Sequence, residues 1–180
     1  MSFSALDLDD NFGASSRLEG KYFTVYYAPQ VDPFEMVRQL GLGVSDRIIS
    51  GSQQGGGGAF GEDYGSATQL AEAFDAIFLR VCAILDMPLY SFQGNIKICR
   101  DHNQLNSIYK GFFDKDLPAQ SFYVYSLDTI YLSADAFKKG IVSHEIAHAV
   151  ISHYFVVLPP VKIQEVLAGY VEYQLAGPRQ

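Results

Sequence analysis

The stretch Gly140-Ile141-Val142-Ser143-His144-Glu145-Ile146-Ala147-His148-Ala149-Val150-Ile151-Ser152-His153-Tyr154-Phe155 carries H-E-x-x-H inside a run that reads as helix, expected from near Gly140 to about Phe155. Four residues along an α-helix advance about 6 Å and rotate about 400°, so His144 and His148 share one face with their rings one turn apart. Two nitrogens placed this way suit a single divalent metal. Zinc takes neutral imidazole nitrogen at about 2.0–2.1 Å, and a reactive site adds a third protein ligand and leaves a position for water. Glu145 adjoins the first ligand and reaches that water without binding the metal itself, which makes it the candidate general base.

A third ligand must come from beyond the end of this helix, where the chain turns back. Pro159-Pro160 supplies the stop, and a second amphipathic run follows at once, with Ile163, Val166, Leu167, Tyr170 and Val171 at helical spacing. Two helices joined by a short turn pack antiparallel, which carries Glu165 back to the level of the histidines. Glu172, two turns further along, is the alternative ligand and otherwise a solvated residue. His153 lies off the ligand face by roughly 100°, as a helix-end residue or a substrate contact, and His102 reads as a loop or cap residue beside Asp101.

With these residues in view, H-E-I-A-H followed by E-V-L-A-G-Y after a proline pair resembles the gluzincin metallopeptidases, the thermolysin-like and peptidase MA-like families. Glu165 matches their third ligand, Ala168 the small residue and Tyr170 the aromatic. Val166 stands where many relatives have Gly, and Gly169 where thermolysin-like enzymes carry an Asp that supports a ligand histidine. The likeness is specific over residues 121–175 and architectural before them. A metzincin is excluded, because its longer motif needs Gly at Ile151 and His at Tyr154.

The resemblance implies an α+β, zincin-like single domain: a short mixed or antiparallel sheet whose edge hairpin packs on the H-E-x-x-H helix. It implies a zinc-dependent peptidase with one Zn2+ held by His144, His148 and Glu165, and Glu145 as base. An oxyanion stabiliser is also required, to be sought among Tyr170, Tyr154 and His153. Phe122, Tyr123, Val124 and Tyr125 take the place of the edge strand that runs antiparallel to a bound peptide, with an ordinary paired hairpin as the plain alternative. No acidic segment for a free substrate amine is present, which favours an endopeptidase acting on peptide or protein. The rival reading is a catalytically silent binding module, or a subunit whose cleft a partner domain completes.

Composition agrees with one domain: 180 residues, 48% hydrophobic and 14% aromatic, are ample for one core. A net charge of −7 without clustered Lys and Arg argues against nucleic acid, and no apolar run of about 18 residues suggests a membrane span. Met1–Asp10 lacks the basic and apolar regions of a signal peptide, which leaves the compartment open, export after removal of a leader included. Cys82 and Cys99 have no C-x-x-C spacing and read as buried thiols.

In chain order, residues 1–18 read as a flexible arm and 19–176 as the domain. Lys21–Tyr27 is a first strand. Asp32-Pro33 and Gly41 frame a short helix over Pro33–Leu40. The glycine-rich stretch 51–65 reads as a surface loop or a lid, without the Lys-Ser/Thr ending of a phosphate loop. Thr68–Leu85 is a clear amphipathic helix and the expected main partner of the motif helix. Asn95–Cys99 is a strand, His102–Lys110 a short or irregular helix, and Phe122–Tyr125 with Thr129–Leu132 a hairpin.

Overall fold

The computed structural model describes residues 10–41 and 67–176. They form an α+β unit. The strands are β1 (Ser16–Glu19), β2 (Phe23–Tyr27), β3 (Gly94–Cys99), β4 (Ser121–Val124) and β5 (Thr129–Ser133). The helices are α1 (Pro33–Leu40), α2 (Thr68–Leu85), α3 (His102–Phe113), α4 (Lys139–Tyr154) and α5 (Val161–Ala176). The sheet is mixed, in the order β1-β2-β3-β5-β4. Its centre, β2-β3-β5, is parallel, and β1 and β4 close the two edges antiparallel.

Alternation along the strands sets the layers. Ile96 and Ile98 of β3, with Ile130 and Leu132 of β5, point into a core shared with α2, α4 and α5. Cys99 and Tyr131 point the other way, into a second cluster with Leu105, Ile108 and Tyr109 of α3. β4 follows the same two-residue period: Phe122 and Val124 join the α3 cluster, and Tyr123 packs on the opposite core. Ser121 is thereby aimed at α4.

Local signals account for the helix boundaries. The Asp32 carboxylate accepts from Phe34 N at 3.0 Å, Pro33 opens α1, and Gly41 ends it in the left-handed region at φ 54°. α2 matches its expected span and buries Leu70, Phe74, Ile77, Phe78 and Val81. α3 is regular, with the Asp101 side chain accepting from Gln104 N at 2.8 Å to cap its start, and it continues past Lys110 to Phe113, where Asp114 ends it in the left-handed region at φ 51°. Cys82 and Cys99 are buried free thiols in different clusters, and burial pushes Cys99 up to about 12.

Several expectations are corrected. α2 does pack on α4, but α5 makes the more extensive contact with it. Tyr125 is not in the edge strand: β4 ends at Val124 and Tyr125 opens a 3-10 turn that closes on Asp128 at φ 47°. Of the apolar row expected on α5, Val171 is buried but Ile163, Val166 and Tyr170 are exposed, and Ala168 and Leu175 complete the buried face. The glycine-rich stretch 51–65 lies outside the described residues.

The flexible arm expected over residues 1–18 is held in place from Asp10 onward; residues 1–9 lie outside the described set. Ser16–Glu19 pair with β2, and Phe12 is buried in the α3 cluster. The Asp10 carboxylate meets Lys97 Nζ and the Tyr131 hydroxyl, each at 2.5 Å. The Lys97 ammonium also lies 5.4–5.9 Å from the ring centroids of Phe12, Tyr26 and Tyr131, within cation–π range. Burial pushes the Asp10 carboxyl up, but the Lys97 and Tyr131 hydrogen bonds outweigh it and hold it below the usual carboxylate range.

A carboxyl lowered by folding stabilises the fold above its unfolded value, and that contribution is lost as the pH falls through the folded value. Asp10→Asn is therefore expected to cost about 1–3 kcal/mol at pH 7, read as a lower urea midpoint. The gap from wild type should narrow as the pH falls below the ordinary aspartate value of 3.8; a gap independent of pH would refute the ion-pair account.

Candidate metal centre

α4 is the most enclosed helix of the unit. Val142, Ser143, Glu145, Ile146, Ala147, Ala149, Val150, Ile151 and Ser152 are all buried. With apolar residues on nearly every side, its orientation is fixed by the one strip that cannot be buried dry. That strip holds His144 and His148, whose side chains are 23% and 16% exposed.

α5 supplies the rest by running back along α4. Glu165 lies beside His148 and His144, and Glu172 and Ala176 lie beside His144 and Gly140. Rising numbers on one helix thus meet falling numbers on the other, as antiparallel packing requires. Pro160 O starts α5 by accepting from Ile163 N at 2.8 Å, and the Gln164 side chain donates to Pro159 O at 2.7 Å. The proline pair therefore both ends the turn and fixes the register in which Glu165 arrives.

His144 Nε2 and His148 Nε2 are 3.2 Å apart, Glu165 Oε2 is 3.5 Å from the first, and Glu165 Oε1 is 3.4 Å from the second. Nitrogen and oxygen ligands at about 2.0–2.1 Å from a tetrahedral zinc lie about 3.3–3.4 Å apart. Each separation is close to one edge of that tetrahedron, the two to Glu165 running from different oxygens, Oε2 toward His144 and Oε1 toward His148, and one ligand atom from each residue lies within 4.8 Å of the others. Two imidazole nitrogens at this separation can share only one proton, so a cation between them is the natural way to satisfy both lone pairs. Burial and the neighbouring His144 also hold His148 below its ordinary value, in the neutral form a metal needs, against the pull of Glu165. His144, His148 and Glu165 are thus a group that could hold a metal ion.

Glu145 sits one residue round the helix, buried at 6% exposure. Its Oε1 accepts from Ser121 Oγ at 2.6 Å, which ties it to the first residue of β4. Burial pushes its carboxyl up to about 7, against the opposing pull of the Ser121 hydroxyl and His144. β4 ends the sheet and pairs only with β5 among the described strands. The residues so gathered are the last strand of the described sheet, a buried carboxyl bonded to it, two histidines and a second carboxylate.

Two members of this arrangement take places the sequence does not assign. Glu172, an alternative ligand or a solvated residue by its sequence, has Oε2 3.2 Å from His144 Nδ1. Its signal was present, since residues seven apart on a helix lie within about 20° of one another. Ser121 carried no such signal, because its link to Glu145 exists only once strand and helix have packed.

The three residues proposed as oxyanion stabilisers stand elsewhere. His153 Nε2 is 2.7 Å from Asp128 Oδ1 and 3.5 Å from the Tyr123 hydroxyl. Tyr154 is exposed with its ring against Phe155. Tyr170 is exposed and lies about 140° round α5 from Glu165. No hydrogen bond or ring contact among the described residues joins these three to the ligands. His102, read as a loop or cap residue, is the first residue of α3, and its backbone N–H donates to Asp135 at 3.2 Å.

Comparison of the chain with protein-family models, with curated proteins and with solved structures finds no match.

Proposed function

We propose that this protein is a zinc-dependent peptidase, acting as an endopeptidase on extended peptide or protein substrates. The observation that carries the reading is the buried Glu145 carboxyl, tied by Ser121 to β4, the last strand of the described sheet, beside two imidazoles and a carboxylate whose ligand atoms lie within 4.8 Å of one another. A site whose only task is to hold a metal has no use for a base beside it, and structural zinc favours cysteine-rich ligation.

His144, His148 and Glu165 would hold the ion, and three protein ligands would leave a tetrahedral zinc a position for water or substrate. When bound, zinc supplies Lewis acidity to both. β4 would hold the substrate backbone as an added antiparallel strand, through main-chain groups that accept many sequences. Glu145 takes a proton from the attacking water as the new C–O bond forms, and passes it to the departing amine as the C–N bond breaks. No covalent enzyme intermediate is needed. Ser121 holds the Glu145 carboxyl at the strand edge, where this transfer takes place.

One observation favours the second reading, a subunit completed by a partner domain. Ile163, Val166, Tyr170 and Tyr173 form an exposed row on α5. Turnover by the chain alone decides between the two.

The wild type is expected to take up one equivalent of zinc and to cleave a fluorescent casein or peptide library. Chelation should abolish cleavage and added zinc restore it. His148→Ala or Glu165→Gln, read by competition with a chelating dye, should weaken zinc binding by more than about 100-fold, beyond the usual effect of an outer residue.

Glu145→Gln keeps the size of the side chain and removes the base. It should lower kcat by about 100- to 10,000-fold with zinc content unchanged. Cleavage that survives this substitution would discard the mechanism, and bound zinc with no turnover on any peptide would favour the binding module.

A further inference from the structure

We propose that Glu172 is a positioning residue of this centre: seated in the clearance left by Gly140, its carboxylate fixes the His144 ring so that Nε2 faces Glu165 and His148. The inference rests on the reading of that triangle as a metal site and adds a residue to it.

His144 Nδ1 is 3.2 Å from Glu172 Oε2, and His144 Nε2 is 3.5 Å from Glu165 Oε2. An ionised carboxylate only accepts hydrogen bonds, and a neutral imidazole has one N–H and one lone pair. The contact with Glu172 therefore places the proton on Nδ1 and leaves the lone pair on Nε2, the atom within 3.2 Å of His148 Nε2. Metal-binding histidines are held and made more basic in this way by an outer carboxylate.

One helix reaches both ring nitrogens because Glu165 and Glu172 are two turns apart on one face of α5. Glu165 meets the side of the ring that faces the triangle, and Glu172 meets the opposite side. Glu172 is thus not a fourth ligand, and it falls outside the group whose atoms converge.

Gly140 explains how the carboxylate reaches the ring. It is buried one turn before His144 on the same face of α4. A Cβ there would lie 3.3 Å from Glu172 Cγ and 3.4 Å from Ala176 Cβ. The tightness of the first contact would push the Glu172 stem outward. The φ of Gly140 is not in the left-handed region, so clearance is the reason for glycine here.

The test is zinc affinity by dye competition, together with long-range 1H–15N spectra of the imidazoles in the zinc-free protein. Glu172→Ala should lose about 10- to 100-fold in zinc affinity and release His144 into a mixture of tautomers. Glu172→Asp, too short to reach the ring, should behave like Ala, and Glu172→Gln, which keeps an acceptor, should lose less. Gly140→Ala should weaken zinc binding in the wild-type background and have a much smaller effect beside Glu172→Ala, where only the 3.4 Å approach to Ala176 Cβ remains. Circular dichroism and urea midpoints confirm that each variant is folded.

Wild-type zinc affinity and an unchanged His144 tautomer in Glu172→Ala would overturn the proposal. Failure of the wild type itself to bind zinc would instead refute the metal-centre reading, and the zinc-free spectra would still decide the role of Glu172.

Discussion

The antiparallel seam between α4 and α5 is the contact on which the rest depends. α4 supplies two imidazoles spaced by one helical turn and α5 two carboxylates spaced by two turns, and neither pair means anything alone. The seam brings them together because small groups line it: Gly140 lies against Glu172 and Ala176, and Ala147 and Ala168 are fully buried. Larger residues at these positions would separate the helix axes, and a glutamate side chain has little spare length with which to follow.

The sheet constrains the same site from the other side. Successive residues of a strand face opposite ways, so β4 can give Phe122 and Val124 to the α3 cluster only by giving Ser121 and Tyr123 to the α4 side. Ser121 meets Glu145 and Tyr123 meets Asp128. A one-residue slip of β4 against β5 would bury the serine in an aromatic cluster and aim a phenylalanine at the carboxyl. The stack of Phe122 on Tyr131, with ring centroids 4.7 Å apart, resists that slip, so packing on the far face fixes which residue reaches Glu145.

How much of this was legible in the sequence follows from how far apart the partners lie along the chain. α1 and α2 could be read because their caps and apolar faces are local. His144, Glu145, His148 and Glu165 could be read because one motif, one turn signal and helical geometry place them. Asp10 could not, since its partners Lys97 and Tyr131 lie 87 and 121 residues away and nothing near it marks it as held. Tyr125 was lost to a turn that only the left-handed Asp128 reveals. The apolar residues of α5 misled for a different reason: spacing shows that a helix has an apolar row, but not that the row is covered. Here the inward face went to Ala168, Val171 and Leu175, leaving Ile163, Val166 and Tyr170 outside.

Charge explains why so many carboxylates gather around two histidines. Glu145, Glu165 and Glu172 all lie within one turn or one side chain of His144, in a chain whose net charge is already −7. In the absence of a cation their negative potentials oppose one another: Glu165 and Glu172 both help to raise Glu145. A dication held between the ligands would offset that repulsion by attracting all three carboxylates. It would bring the ligand carboxylate, the base and the outer carboxylate near balance, whereas a monovalent ion would leave the cluster strongly anionic at a half-buried site. A metal held there would become part of the stability of the seam, because an ion bound only by the folded state would draw α4 and α5 together. Helix pairing and metal binding would then be two aspects of one equilibrium, with Glu172 and Gly140 setting how well the ring of His144 is prepared for it.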